Sequence, residues 1–134
     1  MVTMRWPTGG FLSLMMVLAS CIGAASAQES EKAFYAGKTV RMIVGSGTGG
    51  GYDVFSRMIA PYLAKTLGTT VIVENQPGAG GLIALNRLFT ATPDGLQISL
   101  SNGTSAAFAQ LTGDQAARYD LAKFNYLALS LIHI

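Results

Sequence analysis

Between Gly37-Lys38 and a cluster of glycines, the run TVRMIV (39–44) is short and rich in β-branched residues, which predicts a buried strand. From Val54 the spacing changes. Phe55, Met58, Ile59, Tyr62 and Leu63 recur at three- and four-residue intervals, so a helix with one apolar stripe is expected, ending near Gly68. Asp53 stands where it would cap the start of that helix. Pro61 lies inside it, removes one backbone hydrogen bond and crowds the preceding turn, so a kink or break is expected there. TVIVE (70–74) predicts the second strand, and Leu82, Leu85, Leu88 and Phe89 a second helix. Pro93-Asp94-Gly95 predicts a turn, residues 96–100 a third strand, and the stretch through Leu111 a short helix. Residues from Asp114 onward are weakly patterned. Strand and helix alternate, so the expected fold class is α/β: a parallel sheet with flanking helices and right-handed crossovers.

Ahead of these elements lies a different kind of segment. Arg5 precedes an apolar stretch, residues 11–22, and Ala25-Ser26-Ala27 has the small-x-small form of a cleavage site. Residues 1–27 are therefore expected to be a secretory signal peptide, and the mature protein periplasmic. The apolar stretch is well short of the roughly 20 residues a spanning helix needs. Leu18-Ala19-Ser20-Cys21 also fits the box before a lipid-modified cysteine, but the downstream site favours cleavage and loss of Cys21. Residues 28–134 are left as one lobe. That is short for a receptor of two domains at about 100 residues each, so the chain is expected to be incomplete, with its second lobe missing. The ending LSLIHI (129–134) resembles the translation of a transposon end used in sequencing libraries, so a non-native origin of these residues, His133 included, stands open beside a native one.

Composition narrows the chemistry. Half of the 134 residues are hydrophobic and 12% are charged, more apolar than an ordinary soluble domain. Cys21 is the only cysteine and His133 the only histidine, so no disulfide, thiolate metal site, multi-histidine zinc site or Ser-His-Asp triad is expected. The net charge of +2 is too small and too evenly spread for a nucleic-acid surface. The expectation is a protein with no catalytic residues, no metal, no cofactor and no nucleic-acid partner.

What remains is two glycine-rich loops, each leaving the carboxyl end of a predicted strand, the edge where open parallel sheets hold ligands. The first is Gly45-Ser46-Gly47-Thr48-Gly49-Gly50-Gly51, and the second runs from Asn75 through Pro77 to Gly81. Glycine lets a ligand approach the main chain, and the helix that follows offers unpaired N–H groups and the positive end of its dipole. Together they form an anion site that needs no charged side chain. Glycines that merely close tight turns explain one such loop more easily than two on the same rim. Tyr52 could cover a ligand or pack on the sheet, and Asp53 suits a cap as well as a contact.

Three sharper motifs can be tested by spacing. Gly45-x-Gly47-x-x-Gly50 between strand and helix, with Glu74 ending the next strand, formally satisfies the dinucleotide fingerprint, so an NAD(P)-binding oxidoreductase domain is the rival reading. A signal peptide and the second glycine loop both weigh against it. A phosphate-binding P-loop fails because Gly51 stands where a lysine must follow, and a nucleophile elbow fails because Val44 stands where its first glycine should be.

Five landmarks, in order, resemble the solute-binding receptors of tripartite tricarboxylate transporters, the TctC or Bug family. They are Phe34-Tyr35-x-Gly37-Lys38-Thr39-Val40, GSGTGGGYD (45–53), VIVENQPGAGG (71–81), Pro93-Asp94-Gly95, and Tyr119-Asp120-Leu121 with Phe124-Asn125. The resemblance implies a lobe of the type II periplasmic binding protein kind, from a two-lobed Venus-flytrap receptor that works as a monomer. It implies a small organic acid, typically a di- or tricarboxylate, held by main-chain amides of the two loops and delivered to the transporter's membrane subunits. Carried over residue by residue, the ligand-binding positions are Gly47, Thr48, Gly49, Gly50, Gly51, Tyr52 and Asp53, then Asn75, Pro77, Gly78, Ala79, Gly80 and Gly81. Asn102, Thr104 and Ser105 after the third strand are further contacts. The first loop lacks the phenylalanine-proline common in the family, which marks a divergent subgroup. A sensory domain feeding a two-component system would capture the same ligands.

Overall fold

The computed structural model describes residues 31–128. The expected signal peptide, Cys21, His133 and the terminal LSLIHI lie outside the described residues. Three strands, β1 (Thr39–Val44), β2 (Thr70–Asn75) and β3 (Gln97–Leu100), form one parallel sheet in the order β2-β1-β3. β1 is central. Thr39 to Val44 pair one-for-one with Thr70 to Asn75, and Arg41 to Val44 with Gln97 to Leu100.

Three helices connect and follow the strands: α1 (Gly51–Leu67), α2 (Leu82–Thr90) and α3 (Gly103–Leu111). Side chains alternate across a strand, so neighbours on β2 report which helix covers which face. Asn75 is bonded to Arg57 and Asp53 of α1, whereas Glu74 pairs with Arg87 of α2 at 3.2 Å. The two helices therefore cover opposite faces of the sheet. Toward the carboxyl end of β1 both faces are covered and Met42, Ile43 and Val44 are buried in succession, whereas Thr39 to Met42 alternate between exposed and buried.

The expected α1 exists, but its details differ from the sequence reading. It starts three residues earlier than Val54, and its N-cap is Gly50 in extended conformation, not Asp53. Asp53 sits in the first turn, where its carboxylate accepts the Gly49 N–H at 2.8 Å and so reaches back to the loop instead of capping from outside. The helix runs unbroken through Pro61 to a left-handed Gly68. The buried face is also different. Asp53, Ser56 and Ala60 are buried against the sheet, while Met58 and Tyr62 of the expected stripe are exposed. Small residues let helix and sheet approach closely, leaving Phe55, Ile59 and Leu63 half-buried at the flank.

A second small core lies on the α2 side. Leu82, Leu85, Ala106, Ala109 and Tyr119 are buried together, with Phe89, Leu121 and Phe124 packed against them. The weakly patterned segment after Asp114 thus folds back on α2 and α3. The Tyr119 hydroxyl donates to the Ala106 carbonyl at 2.9 Å, the Asn86 side chain donates to Ala116 O at 2.8 Å, and the Arg118 N–H donates to Asn86 Oδ1 at 2.8 Å. Pro93-Asp94-Gly95 turns as expected: Asp94 Oδ1 accepts the Leu96 N–H at 2.9 Å and Gly95 has φ +76°.

Candidate functional site

The chain leaves β1 toward β2 on one side and returns past β1 to β3 on the other. Such a reversal opens a crevice at the carboxyl ends of the two strands that diverge, here β1 and β3. A cleft of about 280 Å³ lies there, lined by Gly45 and Ser46, Tyr52, Gly80 to Leu82 and Leu85, and by Leu100 to Asn102 with Ser105 and Ala106. None of these residues is charged. The beginnings of α1, α2 and α3 all border the cleft, through Tyr52, Leu82 and Ser105 respectively. Their dipoles and first-turn N–H groups supply a positive field without a cationic side chain.

The second glycine loop owes its shape to an unusual run of backbone. Gly78, Ala79, Gly80 and Gly81 have φ of +136°, +46°, +64° and +94°, and the Gly81 N–H closes the turn on Gly78 O at 2.9 Å. Only Ala79 among them has a side chain to strain. The loops meet at Gly45 and Gly81: a Cβ added to Gly45 would stand 2.8 Å from Gly81 Cα. The two backbones touch there because Gly45 has no side chain, and this contact brings both loops to the same rim.

The first loop is tied down differently. Asn75 Nδ2 donates to Ser46 O at 3.1 Å and to Asp53 Oδ1 at 2.8 Å, and Thr48 Oγ1 donates to Asn75 Oδ1 at 3.5 Å. Arg57 donates from Nε to Asp53 Oδ1 and from Nη2 to Asn75 Oδ1, both at 2.9 Å. The Arg57 hydrogen bond, then the Gly49 N–H and the Asn75 amide, hold the Asp53 carboxyl at about 2, below the ordinary carboxylate value. At the other corner, Asn102 caps α3 by accepting the Ser105 N–H at 3.0 Å.

Of the residues expected to contact ligand, Tyr52, Gly80, Gly81, Asn102 and Ser105 line the cleft. Gly47, Thr48, Gly49, Gly50, Gly51, Pro77, Gly78, Ala79 and Thr104 do not line it. Asp53 and Asn75 are engaged in holding the first loop. Gly45 and Ser46, which open the first loop but precede the carried-over contact positions, line the cleft with Leu100 and Ser101, and Arg57 completes the network; Leu100, Ser101 and Arg57 were not singled out from the sequence. For Arg57 the signal was there: an acid and a base four residues apart on a helix. The Glu74 carboxylate, which the dinucleotide reading needs, is paired with Arg41 at 3.4 Å and with Arg87 at 3.2 Å.

A parallel α/β lobe with its cleft at the reversal point is an architecture that periplasmic binding proteins share with other open α/β folds. A solved structure described as a periplasmic transporter superposes on the chain with a TM-score of 0.56 at 28% identity, over 63% of this chain and 29% of that one. The sequence model for the family described as "TctC: Tripartite tricarboxylate transporter family receptor" matches residues 55–128, and the chain belongs to that family. A UPF0065 protein of Bordetella bronchiseptica is 33% identical over 100 residues, spanning 75% of this chain and 30% of that relative. Protein BugT of Bordetella pertussis is 35% identical over 71 residues, spanning 53% of this chain and 22% of BugT. The chain thus spans about a third or less of the length of these curated relatives.

Proposed function

We propose that the chain is part of a periplasmic receptor that captures a small organic acid, a di- or tricarboxylate, on main-chain amides at the two glycine loops. The observation that carries this reading is the convergence of three helix starts on one cleft with no charged lining residue. Amide dipoles fixed in that way attract an anion and bring no counter-charge of their own. Ser46, Ser101 and Ser105 offer hydroxyls to a polar ligand, and Leu82, Leu85 and Leu100 give its carbon skeleton an apolar floor. Preferential binding to a closed two-lobed form would drive closure, and the closed receptor would deliver the acid to the membrane subunits of a tripartite tricarboxylate-type transporter.

Calorimetry on the full-length protein tests this. Citrate, succinate and glutamate are expected to include at least one acid that gives heat, and NAD none; heat from NAD alone would overturn the proposal. Gly80 adds a sharper check. It has φ +64° with open space around it, so Gly80→Val loses binding by distorting the turn and blocking approach to its amides. Retained affinity would remove the second loop from the site.

A further inference from the structure

The network behind the first loop does more than fasten it. Asp53 is 2% exposed, and its carboxylate accepts three donors: the Gly49 N–H at 2.8 Å, Asn75 Nδ2 at 2.8 Å and Arg57 Nε at 2.9 Å. Asn75 passes the restraint on to Ser46 O at 3.1 Å, so the loop is clipped to β2 at Ser46 and to the first turn of α1 at Gly49; the network takes one loop N–H, that of Gly49, beside the Gly50 N–H that closes on Gly47 O at 3.1 Å. A carboxylate is well suited to gather three donors, since it is acceptor-only and its charge strengthens each bond. It is badly suited to stand in the first turn of a helix whose amides are to attract an anion, because its charge offsets the helix-terminal field. Arg57 answers that conflict by setting a guanidinium against the same oxygen.

We propose that Asp53 and Arg57 are a charge-balanced pair of positioning residues, which shape the first glycine loop while keeping a buried carboxylate from repelling the anion bound there. The proposal rests on the carboxylate-receptor reading above. The charged group facing Asp53 from α1 is Arg57; β2 presents the neutral Asn75, and the loop presents a backbone N–H. Glu74, with Arg41 and Arg87, occupies the opposite face of the sheet.

The test compares full-length wild type, Arg57→Met and the double variant Asp53→Asn/Arg57→Met, with citrate as probe. Calorimetry near neutral pH is expected to show Arg57→Met about tenfold weaker. The double variant, which removes both charges, is expected to recover to within about threefold of wild type, as charge balance requires. By NMR, the Asp53 carboxyl and the Gly49 amide are expected to titrate higher in Arg57→Met than in wild type, while amide protection in β1 is kept. Equal weakness in the single and double variants overturns the charge balance, and an unchanged Gly49 titration in Arg57→Met overturns the positioning role. If wild type gives no heat with citrate, the three proteins are compared with whichever of succinate and glutamate does give heat; heat from none of the three acids overturns the carboxylate-receptor reading and the charge balance with it, while the Gly49 titration still decides the positioning role.

Discussion

Ala79 holds φ +46°, a conformation that costs an L-residue about 1–2 kcal/mol, and it does so between glycines that pay nothing for it. Ala79→Gly relieves that strain and frees the unfolded chain by a comparable amount, so urea denaturation should show it neutral or stabilising by up to about 1 kcal/mol. Gly45 behaves in the opposite way. Its missing Cβ is the space into which Gly81 fits, so Gly45→Ala should destabilise by about 1–3 kcal/mol through overpacking. Gly47→Ala, with nothing within 4 Å, should stay within about 0.5 kcal/mol. Asp53 gives a pH signature. Its folded-state value of about 2 lies below the ordinary 3.8, so its contribution is complete above the unfolded value and is lost as pH falls through about 2. The stability gap between wild type and Asp53→Asn should therefore be widest near neutrality and close on acidification below about pH 4. A gap that does not vary with pH would contradict the hydrogen-bonding assigned to this carboxylate.

α1 shows how an element can be right in kind and different in orientation. Three- and four-residue periodicity located the helix, yet Ser56 and Ala60 face the sheet and Tyr62 faces solvent. Periodicity is degenerate in phase when small residues share the apolar face, because close approach to the sheet favours them over bulk. Pro61 is the second lesson. The Arg57 carbonyl has no N–H to accept at position 61, yet the helix continues to Leu67, carried by its packing on β1 and β2. Pro61→Ala should restore that bond and stabilise the protein by about 1 kcal/mol or more, measured by thermal or urea unfolding. Destabilisation would contradict the assignment of a lost helix bond at Pro61.

β2 and β3 each have one unpaired edge among the described residues, and Met58, Tyr62, Phe108 and Leu111 are exposed. Open edges and uncovered apolar side chains favour association with other chains. The 134-residue chain expressed alone should accordingly unfold at low denaturant, bind hydrophobic dyes and self-associate, which light scattering and equilibrium unfolding would register. A sharp cooperative melt at high temperature from a monomer would refute this. The segment after Asp114 illustrates what only assembly reveals: Tyr119 is buried between α2 and α3, although its sequence neighbourhood carries no periodicity. Its contacts are non-local, so no window along the chain contains their cause.

Strand order along the chain, the existence of the three helices, the two glycine loops and the turn at Gly95 were all legible from composition and spacing. These depend on local conformational preference and on burial periods that a short window contains. Which faces those elements present, the touch of Gly45 on Gly81, and the capture of Asn75, Asp53 and Arg57 in one network were decided by packing. Each requires two segments, far apart in sequence, to compete for the same few ångströms, and that competition is settled only when the sheet brings them together.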